Sequence, residues 1–353
     1  MRFSLSAFTF ILLSFSSSIS ATAVCLGEEC SRIPNEFLLG ANLIDPALDA
    51  VYTKDFLNAM GSSAVMQNVN SSMIGARHLS GQRAGLGYSL ARTNLNPRNL
   101  FLENSELREL PSQGAAASPA VSYGANLGTL IGSPNSELMK WNVNFHIFHY
   151  YLSEGNLPFL RIKNTDIGGR VTNLGLNLRY FPLYEGSEEG KDTSYKNGLS
   201  FGFGIFQTNQ QILLNSYDRR PTNIRIDGDA RKWIGVNDLN YHSRILSSTL
   251  DVRYSYAFGD FSIYGGLGGM FHQGNITIQV VRNASISTVL NKEDFSTYPS
   301  LLHLDIHRNY FLTSRDWYGI LGMEFRWRNV NLLAEYLKNR NSESLNLGVQ
   351  YLF

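Results

Sequence analysis

The chain closes on SLNLGVQYLF, residues 344–353. From Leu345 every second residue is apolar or aromatic: Leu345, Leu347, Val349, Tyr351 and Phe353. Asn346, Gly348, Gln350 and Leu352 stand between them. Alternation at period two marks a strand with two unlike faces. A chain end frays unless something holds it, so a strand on the last residue needs a neighbour to pair with.

The same rhythm recurs upstream from about Ala84. AGLGYSLAR (84–92), WNVNFHI (141–147), LGLNLRY (174–180), LSFGFGIF (199–206), LDVRYSYAF (250–258) and WYGILGMEFRW (317–327) each set large apolar residues against Gly, Ser, Asn or a charge. The small face carries Arg179, Asp251, Arg253, Glu324, Arg326 and Glu335. Aromatics gather at strand ends: Trp141, Tyr150, Tyr151, Tyr180, Trp317, Trp327, Tyr351 and Phe353. Aromatic girdles at two water interfaces produce that pattern, and strands of about nine to eleven residues suit a bilayer crossing. A soluble β-sandwich also alternates, but its small face would not repeat Gly and Asn beside charges.

Composition agrees. Charged residues are 17% and aromatics 12%, while the apolar fraction is an ordinary 43%, diluted by alternation rather than massed in runs. A spanning helix needs about 20 apolar residues in succession, and none occurs. The net charge of +1 gives no electrostatic case for nucleic acid.

Lipid offers no hydrogen bonds to a backbone, so a chain without spanning helices crosses it only as a closed sheet. Closure pairs the last strand with the first, which accounts for the strand on the terminus. The expected fold is therefore all-β: a closed antiparallel transmembrane β-barrel of about 12 to 14 strands, an even number that keeps both ends on one side. SSMIGARHL (71–79), FLRIK (159–163) and ITIQVV (276–281) are candidate extra strands.

Three N-terminal features precede the barrel. Residues 1–23 read as a signal peptide, with Arg2, a short apolar core and the small-residue site Ala21-Thr22-Ala23. Residues 24–70 form a segment holding a plug-like helix at Pro46–Met60, capped by Asp45 and ended by Gly61, with Leu48, Val51, Tyr52 and Phe56 as the plug residues. The barrel takes residues 71–353. In CLGEEC (25–30), Cys25 and Cys30 would close a small disulfide in an oxidising compartment. Cys25 as a lipid-modified first residue is the alternative.

The tail LNLGVQYLF resembles the insertion signal of bacterial outer-membrane β-barrels, which implies the outer membrane and its assembly machinery as a partner of the C-terminal strand. The layout of leader, helical segment and strands is similar to the long-chain fatty-acid transporter family, although Asp45-Pro46-Ala47 only echoes that family's Asn-Pro-Ala signature. The Asn-rich strands and FLLGANLIDPALDAVYTKDF (37–56) also resemble the leptospiral surface adhesins, which implies contact with host matrix proteins through outer loops.

Two chemical readings fall away. In HLDIH (303–307), strand spacing sets His303 and His307 roughly 13 Å apart, too far for one metal ion. His242 and Ser243 are adjacent, so on a strand they face opposite ways, and the His-x-Ser-Asn-Gly core of outer-membrane phospholipases is absent. No cofactor, metal or enzymatic activity is expected. The expected function is a partly plugged channel or transporter for small amphipathic or hydrophobic solutes, with surface-exposed barrel adhesin as the alternative. The six charged residues of the small face are candidate lumen-facing groups.

Overall fold

In a computed structural model, residues 19–27, 30, 61–64, 66, 75–79, 81–94, 113–133, 137–153, 165–184, 198–226, 229–287 and 300–353 are described. They contain twelve strands in one sheet. In chain order these are β1 (Ile19–Leu26), β2 (Gln82–Asn94), β3 (Gln113–Asn126), β4 (Trp141–Ser153), β5 (Thr165–Tyr180) and β6 (Gly198–Tyr217). There follow β7 (Thr222–Ile226), β8 (Asp229–Phe258), β9 (Phe261–Ser287), β10 (Ser300–Trp327), β11 (Val330–Lys338) and β12 (Ser342–Leu352). Setting β1 and β7 aside, the ring runs β2-β3-β4-β5-β6-β8-β9-β10-β11-β12 and returns to β2. Ten antiparallel strands close it. The seam runs from Ser342↔Thr93 to Leu352↔Arg83, and the Phe353 N–H donates to the Gln82 carbonyl at 3.0 Å.

The alternation sorts the two faces as the chemistry requires. Leu345, Leu347, Val349 and Tyr351 are exposed outward, whereas Ser344, Asn346 and Gln350 are buried inward. Leu86, Tyr88 and Leu90 on β2 and Leu250, Val252, Tyr254 and Tyr256 on β8 repeat the pattern. Those exposed rows would be unstable in water and are at home in hydrocarbon. At one end tight turns join the strands: Gly259–Asp260 between β8 and β9, and Arg328–Asn329 between β10 and β11. Gly259 takes φ +62°, a left-handed conformation that glycine adopts without steric cost. Short turns mark the periplasmic end of such barrels.

The ring has fewer strands than the expected 12 to 14. Three strands are far longer than a bilayer crossing needs: β8 has 30 residues, β9 has 27 and β10 has 28. Stretches that alternate like separate strands are parts of one. FSIYGGLGGMF and ITIQVV both belong to β9, and HLDIH and WYGILGMEFRW both belong to β10. SSMIGARHL is not a wall strand either, because its described residues, Gly75–Leu79, lie inside the barrel. FLRIK lies outside the described residues.

Beyond the membrane β8, β9 and β10 continue outward, with β7 paired to β8 and β1 paired to β10. The change of solvent is written on the outward rows. On β8, Tyr254, Val252, Leu250 and Leu246 give way to Arg244 and His242. On β10, Phe325, Met323, Leu321 and Trp317 give way to Arg315. The outer extension has a small core of Trp233, Ala284, Ile286 and Leu302, against which Cys25 and Leu304 pack.

Residues 19–23, read from the sequence as the end of a leader, are paired strand while they remain attached to the chain. Cys25 and Cys30 are joined by a disulfide. The helix at Pro46–Met60 lies outside the described residues, and so do Leu48, Val51, Tyr52 and Phe56. A helical turn at residues 61–64 runs through Gly61, which was expected to end a helix.

Leu347 is exposed near the middle of the outward row of β12. Leu347→Arg is expected to destabilise the folded barrel by about 2–4 kcal/mol. Urea titration of the barrel in lipid vesicles, followed by its heat-dependent gel shift, measures this.

Candidate functional site: the barrel lumen

Inward parity brings five of the six sequence-predicted charges into the lumen. Arg179, Asp251, Arg253, Glu324 and Glu335 are each 5% exposed or less, so they must find partners within the protein. Arg326 is half-buried at the rim, where its Nε donates to the Arg328 carbonyl at 3.4 Å, and it does not join the others.

Four of the five form one connected array. Arg179 on β5 donates from Nη2 to Asp251 Oδ1 at 2.6 Å and from Nη1 to Ser200 Oγ at 3.0 Å. Arg253, two residues along β8 from Asp251, donates from Nε to the same Oδ1 at 2.9 Å. Its Nη1 pairs with Glu335 Oε2 on β11. Tyr264 on β9 donates its hydroxyl to that oxygen at 2.7 Å, and the Arg253 guanidinium lies 5.6 Å from the Tyr264 ring centre. In the ring of ten, β11 is the fifth strand from β5 in either direction. The array therefore crosses the lumen from one wall to the opposite one.

The fifth charge holds the chain segment inside. Glu324 Oε1 accepts the N–H groups of Ala76 at 2.7 Å and Arg77 at 3.1 Å. The turn that presents those two donors begins at Gly75, whose φ is +65°. A Cβ there would lie 2.4 Å from Glu324 Oε1, so only glycine admits the carboxylate so near. Arg253 Nη1 also donates to the Gly75 carbonyl at 3.1 Å, which ties this segment to the wall-to-wall array. Lower down, Arg77 Nη1 donates to the Asp260 carbonyl at 3.3 Å. His78 hydrogen-bonds the Met139 carbonyl at 2.8 Å and stacks on Tyr184 with ring centres 3.8 Å apart.

Higher in the lumen, Ser63 donates to Thr93 Oγ1 at 2.8 Å, and Ala64 and Met66 are fully buried. Those two pack in one cluster with Ile276, Ile278, Leu312, Tyr318 and Leu337 from the walls. Among the described residues the bore is thus charged through its middle and apolar above.

Sequence reasoning named the wall charges but not the residues they grip. Gly75, Ala76 and Arg77 fell in a stretch read as a candidate strand. The phase of Tyr264 in FSIYGGLGGMF (261–271) puts it on the small, inward face with the wall charges. Among the described residues no group of His, Cys, Asp and Glu could hold a metal ion.

Glu324→Ala removes the acceptor for two buried backbone donors, each costing about 1–3 kcal/mol when unsatisfied. Amide exchange at Ala76 and Arg77 is expected to quicken by tenfold or more, as an order-of-magnitude estimate on that scale. Exchange mass spectrometry on detergent-solubilised protein measures it, with the heat-dependent gel shift as the control for an intact barrel.

Comparison with solved structures returns bacterial outer-membrane proteins. The translocator domain of the autotransporter NalP from Neisseria meningitidis is 12% identical over 90% of this chain and 98% of its own, with a TM-score of 0.30. The outer membrane protease OmpT from Escherichia coli is 12% identical over 80% of this chain and 100% of its own, with a TM-score of 0.36. The P. putida toluene transporter TodX is 9% identical over 83% and 94%, with a TM-score of 0.24. Likeness at this level carries no argument about activity. No curated protein matches. The family comparison is decisive: the Lsa36-like profile matches residues 18–353. Matched by that profile over nearly its whole length, this outer-membrane β-barrel chain belongs to the Lsa36-like family.

Proposed function

We propose that the protein is a closed display barrel whose outer sheet binds host extracellular-matrix proteins. The observation that carries this reading is the contrast between its two halves. The bore is crossed wall to wall by Arg179, Asp251, Arg253 and Glu335, with Gly75 bonded into the array. Above the membrane three strands go on, and their outward face turns from apolar to polar. Successive rows read Gln211–His242–Thr277–Asn309 and Leu213–Asn240–Gln279–His307. Amides and carboxylates there are cross-linked strand to strand: Asn215 to Asp238 at 2.6 Å, Gln279 to Asp305 at 3.1 Å, and Thr277 to Asn309 at 2.7 Å. A rigid polar sheet held clear of the headgroups suits protein recognition better than solute passage.

The second reading, a gated channel for small amphipathic solutes, is favoured by one feature. The Ala76 and Arg77 N–H groups of the inner segment are held by a single carboxylate, Glu324, and its release would loosen that turn. Neither reading assigns catalysis or a cofactor to the chain. The exposed row Leu345 to Phe353 is further proposed as the feature that the assembly machinery reads.

One experiment with two readouts separates the alternatives. Planar-bilayer recording of the wild-type barrel is expected to give no conductance steps, while vesicles bearing it retain immobilised matrix protein. Changing Asn240, Gln279 and His307 together to alanine should weaken retention by about tenfold, as for the central residues of an interface. Steady wild-type conductance with no retention would reverse the assignment in favour of the channel.

A further inference from the structure

The outer extension has one edge whose covering is made from residues the chain is expected to lose. On the β8 side the edge is paired on both sides of Ile234–Gly235: β6 takes Val236–Ser255 and β7 takes Asp229–Trp233. On the β10 side, β1 takes Leu301–Arg308. Its register is antiparallel and unbroken, with Ile19↔Arg308, Ser20↔His307, Ala21↔Ile306, Thr22↔Asp305 and Ala23↔Leu304, followed by Val24↔His303, Cys25↔Leu302 and Leu26↔Leu301. Ile19–Ala23 are five of the eight residues of β1. In the sequence reading they are also the tail of an export leader, expected to end at the small-residue site Ala21-Thr22-Ala23.

Removal of the leader after Ala23 splits β1. Val24–Leu26 stay, fixed by the Cys25–Cys30 disulfide and by packing of Cys25 on the Trp233, Ile286 and Leu302 core. Along Leu304–Arg308, β10 then loses its β1 pairing and keeps its β9 pairing. A sheet edge stripped in this way presents a row of N–H and C=O groups and is a template for another strand.

We propose that this stretch of the β10 edge is a strand-addition site, and that its occupant is an extended, uncharged segment of a host partner that takes the place vacated by Ile19–Ala23. The seat defines that chemistry. In the full-length chain it holds Ile-Ser-Ala-Thr-Ala, a run of small and β-branched residues without charge. Main-chain bonds supply the affinity, and the half-buried Leu304 beside the apolar core favours a small residue opposite it. The inference rests on the adhesive reading for the source of the occupant, but not for the existence of the site.

The test uses mature protein purified from outer membranes and left unaltered. N-terminal sequencing is expected to find Val24 first, and a start at or before Ile19 overturns the proposal, because the edge is then covered. The probe is a labelled synthetic peptide, ISATA, with two forms N-methylated at alternate residues. Only one set of alternate amides faces the edge in an antiparallel pair. One methylated form should therefore lose at least tenfold in binding while the other binds like the parent. Equal binding by both, or none by the parent peptide, overturns the site. Amide exchange at alternate residues of Leu304–Arg308, those whose N–H groups face away from β9, should slow when the parent peptide is bound. Saturating peptide should also release captured matrix protein, and undiminished capture overturns the host segment as the occupant. A barrel that captures no matrix protein yet binds the peptide with this alternation keeps the site and sinks only the adhesive reading.

Discussion

Every feature of this protein follows from the cost of an unpaired peptide group in hydrocarbon. A backbone N–H or C=O left bare there costs several kcal/mol, so the sheet must meet itself. The seam between β12 and β2 satisfies that demand at the two ends of the barrel sequence. Phe353, the last residue, still finds the Gln82 carbonyl. Closure fixes which face of every strand looks at lipid, and that choice fixes which residues are trapped inside.

The trapped residues would be a liability if they stood alone. Buried ion pairs contribute little net stability, because desolvation consumes most of the Coulomb gain, but breaking one leaves an uncompensated charge. Arrays of this kind set position rather than tightness. Arg253 serves Asp251, Glu335 and the Gly75 carbonyl at once, so the wall and the inner segment have one shared arrangement. Glu324 does the same with two backbone donors and the Asn331 side chain. Through its middle, the interior of this barrel is a packed core made of polar parts.

Much of the wall was legible in the sequence because strand periodicity is local: the residue two positions away is always on the same face. The outward Leu, Phe and Tyr rows and the inward phase of Arg179, Asp251, Arg253, Glu324 and Glu335 needed no more than parity. The strand number did not follow, because alternation continues unbroken past the lipid boundary in β8, β9 and β10, and length is invisible to a pattern of period two. Arg326 shows a second limit. It has the same parity as Glu324 but sits where the lumen opens, and height along a strand is not encoded in phase. The grip of Glu324 on Ala76 and Arg77 spans nearly 250 positions of chain, a pairing that no local rhythm can report.

The path of the N-terminal part carries a consequence for biogenesis. At Cys25 the chain lies on the outer sheet, by Gly61 it is within the bore, and at Gly81 it reaches the opposite rim, where β2 begins. The polypeptide is thus threaded lengthwise through a cylinder built from its own later residues. Shaping the wall and seating the thread are therefore coupled, because the Gly75–Arg77 turn of the thread is bonded to both β8 and β10.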